Sequence, residues 1–393
     1  ITQQDDPIAR RGRFAYYLLE KGRMEKRFAI IDRLQLEQDS GKSLHEGKQS
    51  LIDLNRSGCA LVEIVTSPCF SSGIEASSFV RQLRLGLMHY RVSNGQMHKG
   101  HLRVDANVSI SRDGESLGQR TEIKNMNSID HVETAVNYEI ERQTKVIEDG
   151  GEVVFETRTV DRNGHTVVMR EKESIDYRFL LEPNIPRLRI PTKMRDDATM
   201  VVSTSRPLHE RLIEDYDFPP FAAVYLSEDE SLAVFVNRCI EGRRGKEKKI
   251  KGEIFMGWLN ELKQICQRRK TLFPPQREHF ALRFIEILEM VEEGKVTKLV
   301  GLDGLRRFEE EEEEGTVEEW LEKEGLWRIR DEGEMEEMTR RIVAEKEGDR
   351  LKALAGNKKA LSKLRNALMA QSKKRIDVDD ASRVLQRILE EKR

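Results

Sequence analysis

Arg103-Val104-Asp105-Ala106-Asn107-Val108-Ser109, followed by Arg120-Thr121-Glu122-Ile123-Lys124-Asn125-Met126-Asn127-Ser128, decides the architecture of the first half of the chain. In an extended strand, side chains alternate between two faces. That period puts Arg103, Asp105, Asn107 and Ser109 on one face and Val104, Ala106 and Val108 on the other. In the second run Glu122 and Lys124, with Met126, share a face, and Asn125 and Asn127 take the opposite one. Upstream, Leu54-Asn55-Arg56-Ser57-Gly58 leads into the apolar run Leu61-Val62-Glu63-Ile64-Val65, which carries a single acid. Each run taken singly is also what a half-exposed strand looks like. Three of them, each with acids beside cations or amides, describe a polar cleft on a rigid sheet.

Working outward, Phe14 to Leu19 and Arg27 to Leu34 are apolar runs bounded by charges and read as strands. Phe79, Leu83 and Leu87 recur every fourth residue, which predicts a helix over 74–90. A second helix is expected over 128–148, with Ile129, Val132, Val136, Ile140 and Ile147 on one stripe and Gly150-Gly151 ending it. Asn163-Gly164 between two β-prone runs predicts a hairpin, because both residues tolerate positive φ. Glu182 to Pro191 reads as an extended connector, and Leu36 to Ser43 as a loop. Past residue 200 the pattern turns to highly charged helices, with Glu309–Glu314 as a solvated acidic run. Near the C-terminus Leu361, Leu364 and Leu368 share a face. A last helix should begin near Asp379, with Val384, Leu385, Ile388 and Leu389 inward.

With 393 residues the chain has room for two or three domains. The 68 Lys and Arg nearly balance the 70 Asp and Glu, so any nucleic-acid contact must come from local patches. One such patch is Lys358, Lys359, Lys363, Arg365, Lys373, Lys374 and Arg375. No apolar run approaches the roughly 18 residues of a membrane-spanning helix, so no membrane insertion is expected. Cys59, Cys69, Cys239 and Cys266 form no CxxC pair, which excludes a zinc knuckle or small disulfide framework and favours a reducing compartment. His89, His98 and His101 read as surface residues. The chain contains neither a GxxxxGK[ST] loop nor GxGxxG nor GxSxG, so nucleotide chemistry here would need acids for a cation and basic groups for phosphates.

The order and wording of these runs resemble the B subunit of the glutamyl/aspartyl-tRNA amidotransferase. The resemblance rests on Leu36-Glu37-Gln38-Asp39-Ser40-Gly41-Lys42-Ser43, Asp53 to Gly58, Glu63 to Pro68, Arg103 to Ser109, Glu122 to Ser128, Tyr138 to Gln143, Gly150 to Glu152, Glu156 to Arg158 and Asp176 to Pro183. It implies an α+β chain in three parts: a cradle domain with a mixed or antiparallel sheet over 1–200, an all-α domain over 201–323, and a small helical YqeY-like tail over 324–393 that binds tRNA. The opening GLEVHxQL strand and the cysteine zinc cluster of the family are absent, and Ile1 falls about 90 residues into the family pattern, leaving the cradle incomplete.

The implied reaction uses ATP and Mg2+. The side-chain carboxylate of Glu (or Asp) on misacylated tRNA(Gln) or tRNA(Asn) is phosphorylated, and ammonia then displaces the phosphate. The resemblance implies a heterotrimer, in which ammonia comes from the amidase subunit and the pair is braced by the small third subunit. It carries a metal role to Glu63, with Gln38 where many members have a second acid. Asp105, Glu122 and Lys124 join Glu63 as catalytic candidates, and Asp39 is a further acid for the cleft. Arg56 and Arg103 become candidates for phosphate oxygens, Asn107 and Asn125 for orientation, and Lys358, Lys359, Lys363, Arg365, Lys373 and Lys374 for tRNA. The Gln38 and Ser40 wording resembles mitochondrial members, so the matrix is the expected compartment, or the cytoplasm for a bacterial chain. The competing expectation is a non-catalytic tRNA-binding or assembly subunit.

Overall fold

The computed structural model describes residues 7–391 except 21–22, 40–41, 47–48, 113–115, 162, 170–188, 243–250, 278 and 311–314. Ser40, Gly41, the run Asp176 to Pro183, most of the expected connector and the end of the acidic run lie outside the described residues. The chain divides into two units, Ile1–Pro207 and Leu208–Arg393.

In the first unit, β1 (Ala9–Glu20), β2 (Arg23–Gln38) and β5 (Ala60–Thr66) form an antiparallel sheet in the order β1-β2-β5. A separate ribbon, β3 (Lys42–Glu46) with β4 (Gln49–Asp53), is inserted between β2 and β5. A second sheet has the order β6-β7-β8-β9, from β6 (Val104–Val108), β7 (Thr121–Met126), β8 (Thr157–Val160) and β9 (Thr166–Val168). Its β7–β8 pair is parallel and its other pairs antiparallel, so the sheet is mixed. The expected loop over Leu36 to Ser43 is instead, in its described residues, the end of β2 at Gln38 and the start of β3 at Lys42.

Helix α1 (Gly73–His89) starts where the Ser72 side chain accepts from the Glu75 backbone N–H. Helix α2 (Ile129–Glu148) starts the same way at Ser128 and stops before Gly150, whose φ of 81° only glycine adopts cheaply. Tyr16, Ala29, Phe79, Ile123, Met126, Val132 and Ala135 meet in the core beneath both helices. Asn163-Gly164 does turn β8 into β9, with Gly164 at φ 82°. A further helix, α3 (Thr192–Thr204), buries none of its residues.

Two β-bulges reassign faces that simple alternation predicts. In β2 the register to β5 shifts between Ile31 and Arg33. Ile31 lies in the core before the shift and Leu34 packs on it after, so Arg33, Gln35 and Glu37 turn to the other side. In the second sheet the register shifts between Val104 and Ala106, leaving Asp105 opposite both Lys124 and Asn125. Asn125 absorbs the bulge at φ 63°. Met126 therefore does not share the face of Glu122 and Lys124: it is fully buried beside Ile123.

The second unit is helical: α4 (Leu208–Tyr216), α5 (Pro220–Glu228), α6 (Glu230–Glu241), α7 (Gly252–Arg269), α8 (Phe280–Glu292), α9 (Lys298–Glu310), α10 (Val317–Glu324), α11 (Glu332–Glu345), α12 (Glu347–Leu354), α13 (Lys358–Gln371) and α14 (Val378–Glu390). It carries one apolar cluster from Leu208 to Leu321 and another from Ile329 to Leu389. On α14, Ala381, Val384, Leu385, Ile388 and Leu389 are buried, the 3.6-residue stripe expected of an amphipathic helix. Lys373 and Lys374, both at positive φ, turn the chain between α13 and α14. There the Lys374 carbonyl accepts from Thr297 Oγ1 at 2.6 Å, which ties the turn to the residues flanking the first cluster, and the Arg375 carbonyl accepts from the Ile329 N–H at 3.0 Å within the second. Among the described residues no helix is long and apolar enough to cross a membrane.

Candidate functional site

Glu63 pairs across the strands with Gln35; alternation past Ile64 turns Glu63 from the core, and the bulge in β2 turns Gln35 to the same side. Gln35 is fully buried and its Nε2 donates to a Glu63 carboxylate oxygen, while its Oε1 has no hydrogen-bond partner. Burial is the main influence that pushes the Glu63 carboxyl above its ordinary range. Glu37 adds to it, Arg33 opposes it, Asp105 adds again and Lys124 opposes. Glu63, Glu37, Arg33, Asp105 and Lys124 thus share one electrostatic neighbourhood, drawn from both sheets.

The bulge at Asp105 fixes the geometry of that neighbourhood. Asp105 Oδ1 accepts from the Asn125 backbone N–H at 2.9 Å, which holds the exposed carboxylate against β7. Lys124 pairs with Glu122 at 3.2 Å on the same face, and Asn107 lies opposite Glu122 in the register. The Asn125 side chain is exposed. Gln38 does not join this group. It lies opposite Ala60, three positions along β2 from Gln35, so strand alternation turns it to the other face.

Arg56 and Arg103 form a second group. Both guanidinium groups bind the same atom, Asp39 Oδ2, at 2.8 Å from Arg56 Nε and 3.3 Å from Arg103 Nη2. Arg56 also donates through Nη1 to the Gly100 carbonyl at 2.9 Å. A Cβ at Gly100 would sit 2.2 Å from that nitrogen, so only glycine lets the guanidinium pass this close. Asp39 is therefore the counter-ion of two arginines rather than a cation ligand.

Among the described residues no three side chains of His, Cys, Asp or Glu converge on one point, so there is no closed protein cage for a metal. Mg2+ does not need one. It is normally held through one or two carboxylates, with water and nucleotide phosphates completing its octahedral shell. Glu63 with Asp105 or Glu37 fits that open pattern, and Gln38 does not.

In the tail, Lys358, Lys359 and Lys363 are exposed on the first turns of α13, with Arg365 half-buried. Lys373 and Lys374 are drawn elsewhere: Lys373 Nζ reaches the Glu324 carbonyl at 3.1 Å and Lys374 pairs with Asp303. The basic cluster of the sequence is thus divided between an exposed helix start and an internal clasp. His89, His98 and His101 are exposed, as expected. Cys59 is exposed, Cys69 half-buried, and Cys239 and Cys266 buried, all as free thiols.

Gln35 and Glu37 are site residues that sequence reasoning misses. A signal is present: Leu34-Gln35-Leu36-Glu37 alternates polar with apolar residues next to the acid-rich motif. What the sequence does not carry is the bulge that turns Gln35 toward Glu63.

Residues 1–196 match the model of the GatB/GatE catalytic domain, and residues 247–389 match that of the GatB domain. The chain is 34% identical to the B subunit of the mitochondrial glutamyl-tRNA(Gln) amidotransferase of Danio rerio, over 95% of this chain and 70% of that protein. It is 34% identical to the B subunit of the aspartyl/glutamyl-tRNA(Asn/Gln) amidotransferase of Brachyspira hyodysenteriae, over 100% of this chain and 81% of that protein. With the mitochondrial B subunit of Homo sapiens it shares 38% identity, over 67% of this chain and 51% of the human protein.

Proposed function

This chain belongs to the GatB/GatE family, as the B subunit of a tRNA-dependent amidotransferase, and from that premise we propose that it activates the side-chain carboxylate of Glu (or Asp) on misacylated tRNA with ATP and then directs its amidation. A carboxylate resists ammonia because oxide leaves badly. Transfer of the γ-phosphoryl group to the carboxylate oxygen, with release of ADP, supplies a leaving group, and ammonia displaces phosphate from the resulting acyl phosphate. The charge to be managed sits on the transferring phosphoryl oxygens. Mg2+, when bound, would spread that charge, with Glu63 as its first protein carboxylate.

The chain's own residues prepare the rest. Gln35 orients the Glu63 carboxylate from a buried position. Asp105, fixed by the Asn125 N–H, offers a second carboxylate, and Lys124 offers a cation to the same neighbourhood. Arg56 and Arg103, each partly exposed, supply guanidinium forks suited to phosphate oxygens. The observation that carries this reading is the Gln35–Glu63 pair, a half-buried carboxylate held by a fully buried amide that a bulge in β2 turns toward it.

The ammonia source is an amidase subunit, and the pair is braced by a small third subunit. The exposed start of α13 meets tRNA phosphates, and the mitochondrial matrix is the compartment. The wording at Gln38 and Ser40 and the relatives named as mitochondrial support the last point; for a bacterial chain, which the bacterial relatives would fit, the compartment is the cytoplasm. Glu63→Gln, in the assembled amidotransferase, should abolish tRNA-dependent ADP formation and amidation while the complex still assembles. Loss of a metal carboxylate removes several kcal/mol of transition-state stabilisation, on the order of a thousandfold or more in rate. Wild-type turnover in that variant would sink the assignment.

A further inference from the structure

Asp39 is held more firmly than a surface acid at a strand end has reason to be. Its backbone N–H donates to the Cys59 carbonyl at 2.9 Å, and its own carbonyl accepts from the Gly58 N–H at 2.9 Å. Gly58, at φ 83°, lets the incoming chain turn back to make that bond. Both main-chain groups are bonded, and the two ion pairs set the direction of the carboxylate. It points between two guanidinium groups carried by the β4–β5 loop and the start of β6, and its side chain is only 14% exposed. A single oxygen, Oδ2, takes both arginines. The remaining N–H groups of Arg103 are not used by Asp39, and about two-fifths of each arginine side chain faces solvent, at 38% and 42%.

We propose that Asp39 is the positioning residue for Arg56 and Arg103, fixing the two guanidinium groups in the arrangement that meets the phosphates of the nucleotide in the transition state. This rests on the reading of the two arginines as phosphate ligands. Asp39 touches no substrate. It acts by aiming the groups that do. That role has an unusual kinetic sign. A carboxylate beside a polyanion site repels the ground-state ligand, so its removal does not weaken nucleotide binding. What removal destroys is the fixed direction of the donors, which matters most when charge develops on the transferring group. A residue needed only for folding would lower stability and leave the rate per folded molecule intact. A metal acid would raise the Mg2+ requirement.

The test is Asp39→Asn in the assembled amidotransferase, with Arg56→Ala, Arg103→Ala and the combined variants. Isothermal titration with ATP gives Kd, and steady-state assays give kcat, KM and the Mg2+ half-saturation. For Asp39→Asn the expected result is a kcat about a hundredfold lower, as for a small misplacement of catalytic groups. The Kd and KM for ATP should be unchanged or lower and the Mg2+ requirement unchanged. Each arginine variant should raise the Kd for ATP. In the Arg56→Ala, Arg103→Ala background, adding Asp39→Asn should cause no further loss of kcat, because the aspartate has nothing left to aim. If Asp39→Asn fails to fold, Asp39→Glu keeps the charge, displaces it by one methylene, and should show the same split between kcat and KM. Arginine variants that weaken ATP binding, beside an Asp39→Asn of wild-type kcat or an Asp39→Asn effect that persists without the arginines, overturn the positioning role alone. Arginine variants with unaltered Kd for ATP overturn the phosphate reading beneath it.

Discussion

Replacement of Glu139 by glutamine should loosen the second sheet from α2. Glu139 is fully buried on α2. It accepts from Arg142 at 2.6 and 3.0 Å, from Gln143 at 2.8 Å and from Thr166 Oγ1 at 2.8 Å, and it pairs with Arg158 at 3.6 Å. Thr166 and Arg158 belong to β9 and β8, and Gln143 reaches the Val108 carbonyl of β6 at 3.0 Å. One carboxylate therefore docks three strands of the sheet that presents Asp105 and Lys124. In Glu139→Gln, whichever oxygen becomes the amide nitrogen meets two donors, of which only the Thr166 hydroxyl can rotate to accept. Breaking a buried charge pair from one side costs roughly 3–5 kcal/mol. Arg142 is partly exposed and Glu156 still pairs with both arginines, which places the loss near the lower end, about 3 kcal/mol. For a unit of this size that lowers Tm by roughly 6–12 °C.

Calorimetry of the wild type and Glu139→Gln at neutral pH measures the loss. Trp258, Trp320 and Trp327 all lie in the second unit, so tryptophan fluorescence serves as an internal control that should hardly move. The pH dependence adds a second check. Burial by itself would raise the Glu139 carboxyl, but the hydrogen bonds from Arg142, Gln143 and Thr166 outweigh it and hold the group below its ordinary range. A depressed carboxylate stabilises the fold above its unfolded value of about 4.3, and that stabilisation is lost as pH falls through the folded value. The gap between the proteins should close below about pH 4. A loss under about 1 kcal/mol, or a gap that ignores acid, would refute the argument.

Replacing Lys358, Lys359 and Lys363 together by alanine should weaken tRNA binding and flatten its dependence on log salt by about two units, as expected if these exposed lysines displace counterions from phosphates; an unchanged slope in filter-binding titrations removes the patch from the interface. Gly301→Ala should cost roughly 1–3 kcal/mol, because its new Cβ would lie 2.8 Å from the Trp258 ring and from a Val291 methyl, and tryptophan-detected unfolding at unchanged midpoint would contradict that packing.

The elements of this fold are legible wherever one period runs undisturbed. The stripes through Phe79, Leu83 and Leu87, and through Val384, Leu385, Ile388 and Leu389, predict helices where α1 and α14 stand, and Asn163-Gly164 predicts its turn. Local chemistry suffices there, because a cap or a turn is written in adjacent residues. Site residues on bulged strands are less legible. Alternation places Met126 with Lys124, and continued from Ile31 it would carry Gln35 to the core side, and each bulge interrupts that alternation. Nothing near Asn125 or Asp32 announces the interruption, since its cause is the fit of the neighbouring strand. Lys373 and Lys374 read as part of a basic surface because charge is visible in sequence, whereas the partners of Lys374 in α9 and of Lys373 at Glu324 are visible only after folding.

The bulge in β2 also sets how mutations should be tolerated along that strand. At Ala29 and Ile31 the odd positions are constrained by packing, and past the bulge Leu34 takes the packed side while Arg33, Gln35 and Glu37 serve the cleft. Selection along β2 should therefore change phase at Asp32. A comprehensive substitution library would show two interleaved patterns meeting there, one set by volume and one by charge. Loss of a single residue at that point would restore a regular ladder and exchange the two patterns, delivering Gln35 and Glu37 to the apolar interior and Leu34 and Leu36 to solvent. The length of β2 is thus as heritable a constraint as the identity of any residue in it.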